Sequence, residues 1–129
     1  MLTHVHHVNL LVRDLPAALA AWRRLGVTEV IEEHLPGRGV ETARFRVGET
    51  WIVLVQPTDP EGIPGRHLST HGEGLFLLSL GVESLADEAA AGLPLSTPRR
   101  GLADWQVADL EAREFQGAVL QLCADPAAG

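Results

Sequence analysis

Residues 5–15 read VHHVNLLVRDL, and residues 75–85 read LFLLSLGVESL. Each stretch is an apolar strand followed by a Val, a polar pair and a Leu that opens a helix, and the two stretches are offset by 70 positions. The chain is therefore interpreted as two copies of one strand-helix unit. Two such copies that face each other can enclose a cavity. The first copy has His7 at the strand position where the second copy has Leu77.

Length and composition predict one domain over residues 1–129, because 46% apolar content is enough for a sizeable core. The longest apolar stretches are about half the length of a bilayer span, and the first residues lack the order of a signal peptide, so we expect a cytoplasmic protein without a membrane partner. Cys123 is the single cysteine, and no Cys/His spacing typical of zinc occurs. The sequence thus argues against disulfides and structural zinc.

The charge pattern narrows the function further. The formal net charge is −7 and the ten basic residues, all Arg, are scattered, which argues against a nucleic-acid partner. The chain has neither Lys nor Tyr, so Schiff-base chemistry and a phenolic general acid are excluded. Any catalysis must use His, carboxylate, Cys or metal chemistry.

The first half of the chain predicts the order β-α-β-β-β. Asp14 is a helix N-cap, Pro16 suits the first turn, and Gly26 ends the helix. Strands are predicted over 27–35, 40–47 and 50–57, with turns at 36–39 and 48–49. The stretch 59–73 is rich in Pro, Gly and His, and is predicted to be a connector with a short helical turn at 63–70.

The second half predicts the same order. A strand at 75–82 is followed by a helix capped by Ser84, a weak strand near 94–98, and closing strands at 104–110 and 117–124. We therefore expect an α+β fold of two tandem βαβββ modules, at about 3–58 and 74–125, that form a curved mixed sheet around a cavity. Strand periodicity places His7 and Asn9 on one face of the first strand, and His6, Val8, Leu10 and Val12 on the face under the helix.

These features together resemble the vicinal oxygen chelate superfamily, which contains glyoxalases, bleomycin-resistance proteins and extradiol dioxygenases. The resemblance is greatest to its methylmalonyl-CoA-epimerase-like branch and covers nearly the whole chain. It depends on the order and spacing of four segments: HHVNLLVRDLPAALAAWRRLGV, GETWIVLVQP, HGEGLFLLSLGVESL and GAVLQL. The resemblance implies the glyoxalase/bleomycin-resistance/dioxygenase fold and makes a homodimer the default.

In metal-using members, the resemblance implies four ligands on the concave face. The corresponding positions here hold His7, Val53, Leu77 and Gln121. Val53 and Leu77 have no donor atom, and two ligands bind a divalent metal weakly. We therefore expect no cofactor, and a divalent metal only through a non-standard site.

Without the metal, what remains is a cavity with an apolar lining and a few polar groups, as in a small-molecule site. The predicted ligand-binding residues are His7, Asn9, Trp51, Val53, Leu77, Ser79 and Gln121. For His7, a hydrogen-bonded core histidine and a functional one stay equally open. Glu41 and Asp109 are the carboxylates best placed for a base or substitute ligand, although a solvated charge at a strand end is the simpler interpretation of each.

Three functions remain open. The first is a protein that binds a small, partly apolar metabolite or antibiotic without the usual metal. The second is a glyoxalase-type lyase, epimerase or isomerase, in which His7, Glu41, Asp109 or Gln121 serve a rebuilt site. The third is a dimeric interaction module in which Val53 and Leu77 fill the former pocket. The residues do not decide between binding and catalysis.

Overall fold

The computed structural model describes residues 1–110 and 119–126. In that part of the chain, helices α1, α2 and α3 span Leu15–Arg23, Ile63–His71 and Leu85–Ala90. The strands are β1 (Leu2–Leu11), β2 (Ile31–Leu35), β3 (Val40–Val47), β4 (Thr50–Pro57), β5 (Gly74–Val82), β6 (Arg99–Arg100), β7 (Gln106–Leu110) and β8 (Leu120–Ala124). Short 3-10 helices cover Pro36–Arg38 and Leu102–Asp104.

The chain divides into two compact units. The first unit is Val8–Phe76, and the second unit combines Met1–His7 with the described part of Leu77–Gly129. The division falls inside β1, so that His7 belongs to the second unit and Asn9 to the first. Each unit is described by itself below.

In the first unit, strands β2, β3 and β4 pair antiparallel in that order, and the second part of β1 lies next to β4 in the sheet. Its core forms where α1 packs on the sheet, and consists of Val12, Leu15, Leu19, Ala43, Phe45 and Leu54. Leu10 packs against the same core, as the strand periodicity predicts. Asp14 is the N-cap of α1, with its carboxylate accepting a hydrogen bond from the Ala17 N–H at 3.0 Å.

The second unit has a mixed sheet in the order β1, β5, β8, β7, β6. Strands β5 and β8 are parallel, whereas β8 and β7, and β7 and β6, are antiparallel. The core beside α3 consists of Val82, Leu85, Ala108, Leu122 and Ala124. The Ser84 hydroxyl accepts from the Asp87 N–H at 3.2 Å and so caps α3, as the sequence predicts.

The predicted order β-α-β-β-β in each half is confirmed, but the extents of several elements differ from the prediction. β7 begins at Gln106 rather than at Asp104, because Asp104 ends a short 3-10 helix. β2 begins at Ile31 rather than at Val27, because Val27 and Val30 pack against the first core from irregular backbone. The helical turn at 63–70 is a nine-residue helix, α2. The weak strand near 94–98 is reduced to one bridge at Leu95, and β6 follows it at Arg99–Arg100.

The closing strand is confirmed over Leu120–Ala124, whereas the beginning of the predicted stretch, 117–118, lies outside the described residues. Part of the predicted module at 74–125, residues 111–118, lies outside them as well. No helix in the described ranges has the length and hydropathy that a membrane crossing requires.

Candidate functional site

Two consecutive histidines of β1 bring their rings together in the second unit. His6 and His7 are 3% and 4% exposed, and their Nδ1 atoms lie 2.9 Å apart. The Trp105 ring contacts both imidazoles, with centroid distances of 4.7 Å; it meets His6 edge-on and stacks on His7. Strand alternation separates neighbouring side chains at Cβ, so this contact depends on how the two rings turn.

An acidic side chain orients His6 from the other end of the described chain. Nε2 of His6 lies 2.9 Å from a carboxylate oxygen of Asp125, which follows β8. A carboxylate only accepts hydrogen bonds, so Nε2 carries the hydrogen of this pair. Nδ1 of His6 is thereby directed at His7.

A polar pair lies between β5 and β8. These strands are parallel with Ser79 opposite Gln121, and the Ser79 hydroxyl donates to Gln121 Oε1 at 3.0 Å. Gln121 also hydrogen-bonds the His7 ring. Both residues are buried, at 0% and 5% exposure, so the pair satisfies polar atoms that would otherwise be costly.

Burial controls the protonation of His7. Loss of solvation, reinforced by repulsion from His6, lowers its pKa from 6.5 to about 3, although the hydrogen bond to Gln121 acts in the opposite direction. His7 is therefore a neutral imidazole near pH 7. A neutral imidazole can accept a hydrogen bond or ligate a metal, but it is a poor electrostatic partner for an anion.

Cys123 lies beside the two histidines. Its register partner on β5 is Gly81, and its side chain is fully buried. Burial, together with the Asp125 charge, raises the pKa of the thiol to about 12. One potential ligand atom from each of His6, His7 and Cys123 lies within 4.8 Å of the others. We refer to these three residues as the His-Cys cluster.

The four positions that the resemblance assigns to metal ligands are divided between the units. His7 and Gln121 are hydrogen-bonded to each other, and Leu77, 8% exposed, lies in the same unit. Val53 is fully buried in the first unit. Because Val53 and Leu77 carry no donor atom, these four residues do not fit the divalent centre of the metal-using members.

The first unit holds the other predicted ligand-binding residues, Asn9 and Trp51. The Asn9 side chain is half-buried, and no donor among the described residues reaches its buried Oδ1. Trp51 lines a cleft of about 720 Å³, together with Phe45, Arg46, Val47 and residues 25–31. The Arg46 and Arg44 guanidinium carbons lie 5.1 and 5.7 Å from the Trp51 ring centre, a cation–π arrangement.

Both candidate carboxylates already have cationic or hydrogen-bonding partners. A Glu41 oxygen lies 3.0 Å from Nδ1 of His34, and Asp109 accepts two hydrogen bonds, of 2.9 and 3.0 Å, from Arg99. These pairs are substantially exposed, with side-chain exposures between 41% and 62%. Their surroundings are typical of surface charges rather than of a desolvated base.

Sequence reasoning missed four residues of the site: His6, Trp105, Cys123 and Asp125. The periodicity of β8 places Gln121 and Cys123 on one face, which was the available signal for Cys123. The remaining three become neighbours only through the packing of β1, β7 and the end of β8. No local pattern reports that packing.

The β-α-β-β-β repeat, with His7 and Gln121 on buried strands, defines a small α+β protein of the glyoxalase type. Residues 6–108 match the Glyoxalase/Bleomycin resistance protein/Dioxygenase superfamily, and the chain belongs to that family. The resemblance found from the sequence is therefore confirmed. A search of curated proteins finds no match.

Solved structures with the same fold include several methylmalonyl-CoA epimerases. A variant of the Streptomyces coelicolor enzyme, in complex with 2-nitronate-propionyl-CoA, is 24% identical with a TM-score of 0.86, over 98% of this chain and 100% of that one. The Mycobacterium tuberculosis enzyme is 25% identical with a TM-score of 0.85, over 98% and 90%. An epimerase in complex with methylmalonyl-CoA and NH4+ is 24% identical with a TM-score of 0.85, over 98% and 97%. The predicted fold class is confirmed.

Proposed function

We propose that this protein binds a small, partly apolar metabolite, and that it does so without the four-ligand metal centre of its superfamily. The proposed ligand-binding residues are Asn9, Trp51 and Val53 in the first unit, and His7, Leu77, Ser79 and Gln121 in the second. The proposal includes a homodimer, as the superfamily resemblance implies, and a cytoplasmic location, as the apolar stretches and the first residues predict. Sedimentation of the purified chain tests the dimer.

The observation that carries the proposal is the unpartnered Oδ1 of Asn9. A buried acceptor without a donor costs about 1–3 kcal/mol, so such atoms are rare in folded proteins. No described residue supplies a donor to Oδ1. A hydroxyl or amide N–H of a bound ligand would satisfy it, and the cost in the free protein would then be recovered on binding.

Acyl-CoA thioesters are the ligand class that the solved relatives favour, since those structures contain methylmalonyl-CoA or 2-nitronate-propionyl-CoA. The cleft beside Trp51 supports this class for the present chain. Its volume, about 720 Å³, lies within the range of small-molecule sites. Its walls combine apolar side chains with the Arg46 guanidinium, which suits a ligand that has both acyl and anionic groups.

Calorimetric titration of methylmalonyl-CoA into chelator-treated protein tests the proposal. We expect saturable binding that Asn9→Leu weakens by about 5- to 150-fold, the equivalent of 1–3 kcal/mol. The same substitution should leave the thermal stability of the free protein unchanged or raised, because it removes an unsatisfied acceptor. Thr70→Val, a polar-to-apolar change at an exposed position of α2, is the matched control.

Each unfavourable outcome has a specific meaning. If the wild type shows no saturable heat with methylmalonyl-CoA, the thioester class is wrong. If Asn9→Leu and Thr70→Val bind it equally well, Asn9 has no role in recognition.

A glyoxalase-type lyase or epimerase is the second candidate, and the His-Cys cluster is the observation that favours it. The partners of Glu41 and Asp109 weigh against it, because each carboxylate is exposed and already paired. Exchange of the methylmalonyl-CoA α-hydrogen with deuterium from solvent, followed by NMR, separates binding from proton abstraction. We expect binding without enzyme-dependent exchange.

A further inference from the structure

The His-Cys cluster has the composition of a metal site, and of its three residues only His7 stands at a ligand position that the superfamily resemblance implies. Its potential ligand atoms lie within 4.8 Å of one another, and its three residues are 3%, 4% and 0% exposed. Ligand atoms around a tetrahedral zinc ion are about 3.5 Å apart, given bonds of about 2.0–2.3 Å. A separation of 4.8 Å would therefore have to shrink by about 1.3 Å to reach coordination distance.

The contact between His6 and Asp125 is a second, independent observation. A histidine that ligates a metal usually donates its other ring N–H to a carboxylate, which fixes the tautomer and the ring orientation. Nε2 of His6 has this partner at 2.9 Å. In the neutral ring, Nδ1 then presents its lone pair toward His7.

The hydrogen bonds of the His7 ring are compatible with a cation next to its Nδ1. Its Nδ1 lies 2.9 Å from Nδ1 of His6, and its ring also hydrogen-bonds Gln121. A neutral imidazole has only one N–H, so His7 can donate to His6 or to Gln121 but not to both. A cation bound between the two Nδ1 atoms would use both lone pairs and leave the His7 N–H for Gln121.

We propose that His6, His7 and Cys123 bind one soft divalent cation of the zinc class. Two imidazoles and a thiolate suit zinc or cobalt rather than magnesium or calcium, which prefer oxygen ligands. Coordination would displace the thiol proton of Cys123 into solvent, so that binding releases one proton. The site lies within the second unit and goes beyond the proposed function, whose test uses metal-stripped protein.

Metal binding by a second pair of histidines, on α2, must be distinguished from binding at the His-Cys cluster. His67 and His71 lie one helical turn apart on α2, with ring centroids 4.4 Å apart. Such an i, i+4 pair can bind a transition metal weakly, but it offers no sulfur. The double variant H67N/H71N is therefore the matched control for the His-Cys cluster.

Cobalt(II) titration of the reduced, chelator-stripped full chain is the decisive experiment. Cys123 is the sole cysteine of the chain, so a thiolate-to-cobalt charge-transfer band reports this site directly. We expect one equivalent of cobalt, a band that zinc displaces, and full retention of both in H67N/H71N. Cys123→Ser should abolish the band, and Asp125→Asn should weaken cobalt affinity by about 10- to 100-fold.

Three results would overturn the proposal: no saturable binding, binding without the charge-transfer band, or binding that H67N/H71N removes. If Cys123→Ser does not fold by circular dichroism, alkylation of the wild-type thiol replaces it. Zinc should then slow the reaction of Cys123 with iodoacetamide at least tenfold, and an unchanged rate would refute the site. Failure of methylmalonyl-CoA binding has no bearing on either readout.

Discussion

The two units have the same residue types where the first strand of each repeat packs under its helix, and different residue types on the opposite face of that strand. At the offset of 70 positions, Leu10 matches Leu80, Val12 matches Val82 and Leu15 matches Leu85. The first member of each pair belongs to or packs against the core of the first unit, and the second member does the same in the second unit. On the other strand face, His7 matches Leu77, Asn9 matches Ser79 and Leu11 matches Gly81. Packing requirements are therefore repeated, whereas the chemically active groups are not.

The prediction with the largest expected effect on stability tests whether the hydrophobic cores of the two units are energetically equivalent. Leu15 and Leu85 open α1 and α3 and are 5% and 6% exposed. We expect Leu15→Ala and Leu85→Ala each to lower the free energy of unfolding by about 2–5 kcal/mol, through lost burial and the cavity left behind. Urea denaturation measures both.

Leu25→Ala, at a position that is 77% exposed, should change stability by no more than about 0.5 kcal/mol. A loss of less than about 1 kcal/mol at only one of the two core positions would show that the repeat is unequal in energy.

The second prediction concerns the titration of His7, because its counterpart in the second copy of the repeat, Leu77, does not titrate. The pKa of His7 is lowered to about 3 in the folded chain, against 6.5 when unfolded, so the unfolded state binds more protons between these values. Its contribution to stability is complete above pH 6.5 and is lost as the pH falls toward 3. The slope is about 1.4 kcal/mol per pH unit, or about 2 kcal/mol between pH 6.5 and 5.

Urea denaturation of metal-free protein at several pH values, for the wild type and His7→Gln, checks this prediction. In His7→Gln, the free energy of unfolding should no longer show the pH dependence that comes from His7, and should keep the pH dependence that comes from the other groups. Parallel stability profiles for the two proteins would contradict a buried neutral His7.

The smallest effect concerns the matched polar positions Asn9 and Ser79. The Ser79 hydroxyl donates to Gln121, whereas Asn9 Oδ1 has no donor among the residues described. Ser79→Ala should therefore destabilise the free protein by about 0.5–1.5 kcal/mol, in contrast to Asn9→Leu. Thermal unfolding of both variants measures the difference, and changes of the same sign would remove the distinction between the two positions.

Local sequence chemistry predicted most of the fold. Asp14 and Ser84 identify the starts of two helices. The alternation in 40–47 identifies β3, and the mostly apolar run in 50–57 identifies β4, because caps and strands depend on neighbours along the chain. The start of β2 was predicted too early because Val27 and Val30 satisfy strand propensity while packing from irregular backbone.

The candidate site could be predicted only in part. His7 and Gln121 were identified through the resemblance, and the structure places them in contact. His6 was assigned to the opposite face by simple alternation, yet its ring reaches both His7 and Trp105. Contacts of this kind depend on side-chain rotation and on partners more than 95 residues away, neither of which periodicity encodes.

The ring of Trp105 stacks on His7 and meets His6 edge-on. Indole emission depends on the groups in direct contact with the ring, and the other two tryptophans have different neighbours: Trp22 packs on Phe45, and Trp51 lies near two guanidinium groups. The protein thus contains its own optical reporter. Occupancy or protonation at the two histidines should alter Trp105 fluorescence, so that the chemistry of this strand can be followed in real time without a label.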